Sequence, residues 1–402
     1  MDDQIPVSSR ASSIEYAIRD VVVPATELEH QGHEILKLNI GDPIAYPGLP
    51  TPPHMVDAYV EALQSGRNGY SPSYGLPELR QAIAVDEQRK GWDATSDDIY
   101  VCHGVTEALQ LIFAAVLDSG SKVLAPGPHY PPYMAYPQMY GASTVEYKLH
   151  ADDGWKPDFD DIESKMDDDV RLLVLINPNN PCGSVCGSED VDRMLAIARS
   201  YPNCILVADE IYDGLDFTGK HVSVASRSKD VPVIALNGVS KVYYAPGWRI
   251  GYMAIHDPVG RMALVRDGLE RLLRSRLCAS TPAQLGYLAG LTGEKSWMRA
   301  YSERVQKQRN HCLKRIEEID GLEVESPGGA FYMFVRLTDP QWANDDKQFV
   351  LQLLEEEHVL LVHGSGFSPE LGRGHVRLVY LPSVEVLDEA FDRIGRFLER
   401  HR

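Results

Sequence analysis

The chain has 402 residues, 44% of them hydrophobic and 24% charged, with a formal net charge of −19. That length allows a large core and two or three domains at about 150 residues each. The composition is that of a soluble globular protein, no apolar run is long enough for a membrane span, and the acidic balance argues against a nucleic-acid binder, whose footprint is a basic stripe.

The N-terminal stretch MDDQIPVSSRASS lacks a basic segment followed by an apolar core, so a secretory signal is not expected. Six cysteines (Cys102, Cys182, Cys186, Cys204, Cys278, Cys312) lie scattered, mostly beside apolar residues. This pattern reads as reduced thiols and a cytoplasmic protein rather than a disulfide framework. Cys182 and Cys186 have no second Cys or His pair at ligand spacing, so no metal site is expected.

In chain order, the proline-rich DPIAYPGLPTPPH (42–54) reads as an arm or connector. From 97 to about 255, β-rich runs alternate with helical stretches. DDIYVCHG (97–104) reads as a strand, and VTEALQLIFAAVLDSG (105–120) as a helix ending at Gly120. Strands are then predicted at 121–126, 143–149, 171–176, 204–209, 232–237 and 249–255, with a helix at 188–201. Several strands are apolar throughout, as strands covered on both faces are. This alternation predicts a mostly parallel sheet with helices on both faces.

Beyond about 260 the pattern changes. Helices are predicted at 260–277 and from Glu294 to Ile319, followed by a smaller α+β unit with strand-like AFYMFVRL (330–337) and HVRLVYLP (375–382) and helices at 346–359 and 384–401. The expected division is an N-terminal arm contributing to a small domain (1–50), a large domain (51–293) and a small C-terminal domain (294–402). The acidic runs DDIESKMDDD (160–169) and LLEEEH (353–358) read as solvated faces.

Ligands of an open parallel sheet sit beyond the carboxyl ends of its strands, and three groups fall there. Asp209 follows CILVA, Lys241 follows PVIALN by a short turn, and Thr106 and Glu107 open the helix after IYVCHG. A helix N-terminus suits a phosphate, which Arg249 and Ser240 would also contact. A desolvated lysine is a nucleophile able to form a Schiff base with the aldehyde of pyridoxal 5′-phosphate, and that cofactor needs a carboxylate beside its pyridine nitrogen. Lys241 and Asp209 suit these two roles. Tyr212 and Asn180 would hold the ring oxygen. Tyr130 of GPHYPPY is preferred over Tyr133 for lying flat on the ring, Tyr133 being read as a packing residue. His103 and His363 receive no role.

NPNNPCG, DEIY, SKVYYAPGWRIGY and HVRLVY, in this order and spacing, resemble the signatures of fold type I pyridoxal-phosphate aminotransferases. SIEYAIRDVV, LNIGDP, VTEALQLIF, ADEIYD, GAFYMF and VHGSGF are most similar to the alanine (glutamate–pyruvate) aminotransferase branch. The resemblance implies that Lys241 is the Schiff-base lysine and proton carrier. It also implies that Val105, Thr106, Ser240 and Arg249 surround the phosphate, that Arg377, Gly41 and Asn180 take the substrate α-carboxylate, and that Tyr70 reaches the phosphate of a neighbouring subunit in a homodimer. Arg19 and Tyr16 would meet glutamate's distal carboxylate. Two departures stand out: Cys182 replaces the usual Thr after NPNNP, and Gly238 replaces a Ser three residues before Lys241.

The implied reaction is amino transfer between L-alanine/pyruvate and 2-oxoglutarate/L-glutamate. An aspartate, aromatic or broad-range aminotransferase remains open, as does a C–S lyase on the same fold. A non-catalytic binding or regulatory protein is the alternative from another class.

Overall fold

The structure, a computed structural model, describes residues 5–12, 18–48 and 50–402, with the backbone alone at 9 and 18–20. An eight-stranded sheet forms its larger part. The strands run in the spatial order Ile99–Cys102, Gly251–His256, Val233–Gly238, Ile205–Asp209, Val170–Ile176, Lys122–Gly127, Ser143–His150 and Lys156–Pro157. The five strands from Val233–Gly238 to Ser143–His150 pair in parallel, while Gly251–His256 runs antiparallel to both neighbours.

The unbroken apolar runs of the central strands follow from cover on both faces. Leu173, Leu175, Leu206, Ala208, Val233 and Ala235 enter one buried cluster. Their alternates Leu172, Val174, Ile205, Val207, Ile234 and Leu236 enter another. A strand points successive side chains to opposite faces, so each face needs its own apolar set. Helix Ser188–Arg199 covers the first face through Val191, Met194 and Leu195. Helices Gly104–Val116 and Ala263–Arg276 cover the second through Leu109, Ile112, Phe113, Leu269 and Leu273.

A four-stranded antiparallel sheet follows, in the order Leu322–Glu323, Tyr332–Leu337, His375–Val379 and Val362–His363. Against it lies helix Val384–Arg400, whose buried Leu387, Ala390, Phe391, Ile394, Phe397 and Leu398 recur at helical spacing. The N-terminal segment joins this unit. Leu36 and Lys37 pair in parallel with Val359 and Leu360, and Val21 and Leu38 enter the same core. Helix Ser296–Glu317 packs Trp297 and Met298 against the larger core and buries Tyr301, Val305, Cys312 and Ile316 in the smaller one.

The helix expected to reach Gly120 ends at Val116. Ser121 N–H donates to the Asp118 carbonyl and Gly120 N–H to that of Gly141, because the chain must reverse into the strand beginning at Lys122. Helices Pro53–Gln64, Pro77–Arg89 and Thr281–Thr292 were not foreseen, although each carries proline in its first turn, where its missing N–H costs nothing. Glu357 departs from the solvated-face reading: it is buried and bonded to Arg396 at 3.1 Å and Arg400 at 2.5 Å.

A charged network is buried beside the central strands. Lys90 Nζ lies 2.7 Å from Glu87 Oε1 and 2.8 Å from Asp213 Oδ2, and Tyr252, Trp92 and Asn237 complete the hydrogen bonds of the two acids. Burial opposes the Lys90 charge, but Asp213 and Glu87 outweigh it and hold its pKa well above the ordinary lysine value. Glu210 is the least compensated member; burial raises it to about 8 despite Lys90. Removing Lys90 leaves Glu87 and Asp213 in the interior without an ion pair among the described residues. Lys90→Met is expected to lower stability by about 3–5 kcal/mol, read as a reduced urea midpoint at unchanged slope.

Candidate active site

The strands Ile205–Asp209 and Val233–Gly238 end side by side, with Asp209 opposite both Ile176 and Leu236. Beyond these ends lies a cavity of about 390 Å³ whose wall includes Asp209, Lys241, Asn180, Tyr130, Arg249 and Arg377. Gly41, Val105, Thr106, Tyr212 and Ser240 also line it. Positions spread over more than 330 residues therefore meet at one place.

Asp209 is 4% exposed. Its Oδ2 accepts from the Tyr133 hydroxyl at 2.9 Å and its Oδ1 from Ile211 N–H at 3.3 Å. Burial lifts its pKa to about 6 even though these donors and Lys241 lower it. The carboxylate thus lacks a close cation, which a protonated ring nitrogen would supply.

Lys241 Nζ donates to the Gly41 carbonyl at 2.6 Å. Protein encloses the amine while leaving it open to the cavity. Burial first, then Arg377 and Arg249, bring its pKa down to about 8, against the pull of Asp42 and Asp209. This environment leaves the amine neutral above that pH, as a nucleophile or base requires.

Arg377 is 3% exposed. Its guanidinium carbon lies 4.6 Å from the Tyr332 ring centroid and 4.7 Å from that of Phe367. Nη1 donates to Asn180 Oδ1 at 3.1 Å and Nη2 to the Asn39 carbonyl at 2.8 Å, while Nε has no hydrogen-bond partner among the described residues. Among the described residues no carboxylate pairs with it. A buried cation held only by neutral groups, with a donor to spare, is arranged for an incoming anion.

Arg249, an exposed residue at the rim of the cavity, is a second cation on its wall. It adopts the left-handed conformation (φ 54°), and its Nη1 and Nη2 donate to the carbonyls of Pro246 and His103 at 2.9 and 3.3 Å. It lies against the N-terminus of helix Gly104–Val116, where a Cβ on Gly104 would stand 2.5 Å from Nη2. Only glycine leaves room for the guanidinium beside the free N–H groups of Val105 and Thr106. Helix terminus, guanidinium and the Ser240 hydroxyl together form an anion cradle. The donor set fits pyridoxal phosphate: a cation-deficient carboxylate, a neutral-prone amine and two anion-deficient arginines surround one cavity.

Tyr130 lines the cavity, whereas Tyr133 is wholly buried behind Asp209. Tyr133 was read as packing, yet its hydroxyl is the donor to Asp209; nothing in GPHYPPY distinguishes the two roles. Tyr332, within GAFYMF, was also missed. Its hydroxyl lies 3.0 Å from that of Tyr212, and a Cβ on Gly41 would collide with it. Asn39, Val22 and Ile40 complete the wall near Arg377. Tyr70 does not line this cavity and is 85% exposed. Tyr16 and the side chain of Arg19 lie outside the described residues. Cys182, in place of the usual threonine, is buried, and its N–H donates to Asn179 Oδ1 at 3.1 Å, which keeps the turn.

A family model described as aminotransferase class I and II matches residues 33–394. The chain is 37% identical over 406 residues to the glutamate-pyruvate aminotransferase AlaA of Haemophilus influenzae, covering 99% of each chain. Among solved structures, an alanine aminotransferase from Pyrococcus furiosus superposes with a TM-score of 0.96 at 47% identity, covering 98% of this chain and 100% of that one. An aspartate aminotransferase from Thermus thermophilus with maleate gives 0.88 at 30% identity, over 98% and 100%.

In the cofactor-free protein, the amine-selective acylation of Lys241 is expected to rise with pH through a midpoint of about 8, followed by peptide mass spectrometry. Arg377→Met removes a nearby positive charge and is expected to move that midpoint upward.

Proposed function

The chain belongs to the class I and II aminotransferases, and we propose that it moves an amino group between L-alanine/pyruvate and 2-oxoglutarate/L-glutamate with pyridoxal 5′-phosphate as cofactor. When bound, pyridoxal phosphate supplies an electron sink for the pair left at Cα once its proton is removed. The observation that carries the reading is the charge inventory of one cavity, in which, among the described residues, no cation pairs with Asp209 and no carboxylate with Arg377 or Arg249.

In this reading each side chain has one task. Asp209, oriented by Tyr133, would face the ring nitrogen, and Tyr130 would stack on the ring. Tyr212 and Asn180 would hold the ring oxygen. Val105, Thr106, Ser240 and Arg249 would hold the phosphate. Arg377 binds the substrate α-carboxylate, with Asn180 and the Gly41 backbone beside it. Lys241 Nζ takes the proton from Cα and delivers it on the same face, a transfer that its lowered pKa favours near neutral pH. Arg19 and Tyr16 are proposed for the distal carboxylate of glutamate.

Several further features belong to the same proposal. The exposed Tyr70 would complete the phosphate site of a second copy, making the working unit a homodimer. The chain would divide into an arm (1–50), a large domain (51–293) and a small domain (294–402). The free cysteines, five of the six buried, suit a cytoplasmic enzyme. No helix among the described residues is long and apolar enough to cross a membrane.

The test is pyruvate formation from L-alanine and 2-oxoglutarate by protein loaded with pyridoxal phosphate. Parallel double-reciprocal lines are expected, as for a two-half-reaction exchange. Lys241→Ala is expected to lose about 10²–10⁴-fold or more in rate while still binding the cofactor. Exchange with aspartate or aromatic amino acids but not alanine would overturn the substrate assignment. Release of ammonia without a transferred amino group would overturn amino transfer itself.

A further inference from the structure

His129 follows the strand Lys122–Gly127 and directly precedes Tyr130. It is 1% exposed. Its Nδ1 lies 3.0 Å from the Tyr130 carbonyl, and a carbonyl oxygen only accepts, so Nδ1 carries a hydrogen. Its Nε2 lies 3.1 Å from Glu146 Oε1, on the neighbouring strand Ser143–His150. The other oxygen, Oε2, accepts from the Ser368 hydroxyl at 2.9 Å. Ser368 belongs to the loop between the last two strands of the four-stranded sheet, so the three residues cross from one sheet to the other.

The crossing is supported on both sides. His129 N–H donates to the Phe367 carbonyl at 3.2 Å, and Ser368 Oγ accepts from Leu371 N–H at 3.0 Å. A Cβ on Gly127 would stand 2.5 Å from Leu371 Cδ1 and 3.1 Å from Glu146 Cβ. The absence of a side chain there lets the loop seat against the larger sheet.

The proton inventory is specific. With Nδ1 donating to a carbonyl, a neutral ring would turn the Nε2 lone pair toward a carboxylate oxygen in the interior. Among the described residues neither Nε2 nor Oε1 has a hydrogen-bond partner, and each faces the other across the 3.1 Å contact. Two buried acceptors in contact are costly unless a proton lies between them.

What the bridge holds is informative. Its first residue is bonded to the backbone of Tyr130, which lines the cavity. Its last residue neighbours Phe367, whose ring covers one face of the Arg377 guanidinium. We infer that His129, Glu146 and Ser368 are positioning residues, an inter-sheet latch that sets Arg377 and Phe367 against Tyr130 and thereby tunes recognition of the amino-acid carboxylate. The inference rests on the proposed function for its kinetic consequence, not for the latch itself.

Three variants of the full-length, pyridoxal-phosphate-loaded protein test it. Glu146→Ala and Ser368→Ala each open the bridge. Glu146→Gln rebuilds it: the amide N–H donates to a neutral Nε2, and the amide oxygen accepts from Ser368. Glu146→Ala and Ser368→Ala are expected to speed amide hydrogen exchange across residues 364–372 and to raise KM for L-alanine about tenfold, with kcat within about threefold of the parent. Glu146→Gln is expected to match the parent in both readouts, with melting temperatures checked alongside. Unchanged exchange in both alanine variants, or a Gln variant as impaired as Glu146→Ala, overturns the latch. If the parent transaminates nothing, the functional reading fails on its own, and hydrogen exchange still decides the latch.

Discussion

The site depends on burying a carboxylate at the end of a central strand. Asp209 stands between two parallel neighbours and is 4% exposed, so its charge is best balanced from inside the cavity that it lines. Tyr133 supplies a hydrogen bond but no charge, and Lys241 alone does not bring the pKa back to the ordinary carboxylate range. The surrounding arrangement answers that deficit. Under the proposed function, a protonated ring nitrogen would supply the missing cation, and Arg377 and Arg249 would stand ready for anions.

The same reasoning applies to the positive side of the cavity. Arg377 is sandwiched between two aromatic rings and tied by carbonyl oxygens, which orient the guanidinium without neutralising it. Arg249 is likewise tied to carbonyls beside a helix terminus. Both cations disfavour protonation of Lys241, and together with burial they keep its amine available as a base. Recognition of anions and activation of the lysine are therefore one electrostatic property. Its rigidity comes from neighbours such as Tyr332, which touches both Tyr212 and the Gly41 region.

Much of this was legible beforehand. The apolar strands 171–176, 204–209 and 232–237 reported a sheet covered on both faces, and their carboxyl ends pointed to Asp209 and Lys241. Motif order then brought in Asn180, Tyr212, Arg249 and Arg377, all of which line the cavity. Helices with weak local patterns escaped: Thr281–Thr292 is apolar nearly all round, with many positions buried, so no single stripe marks it. Glu357, within an acidic run, proved buried because two arginines of the final helix reach it.

By itself, the sequence determined the alternation of strands and helices, the strand ends that carry chemistry, and the residue types gathered there. Those properties are local: periodicity, turn chemistry and motif spacing are written in consecutive residues. Tertiary structure alone decided that Tyr130 faces the cavity while Tyr133 supports Asp209, and that Tyr332 and Phe367 enclose Arg377. It also decided that His129 meets Glu146 and Ser368. Each of these depends on side-chain direction where distant segments pack, as when Arg377 reaches the Asn39 carbonyl 338 positions away. Local pattern carries no record of such contacts, because they exist only once both sheets have closed around the same space.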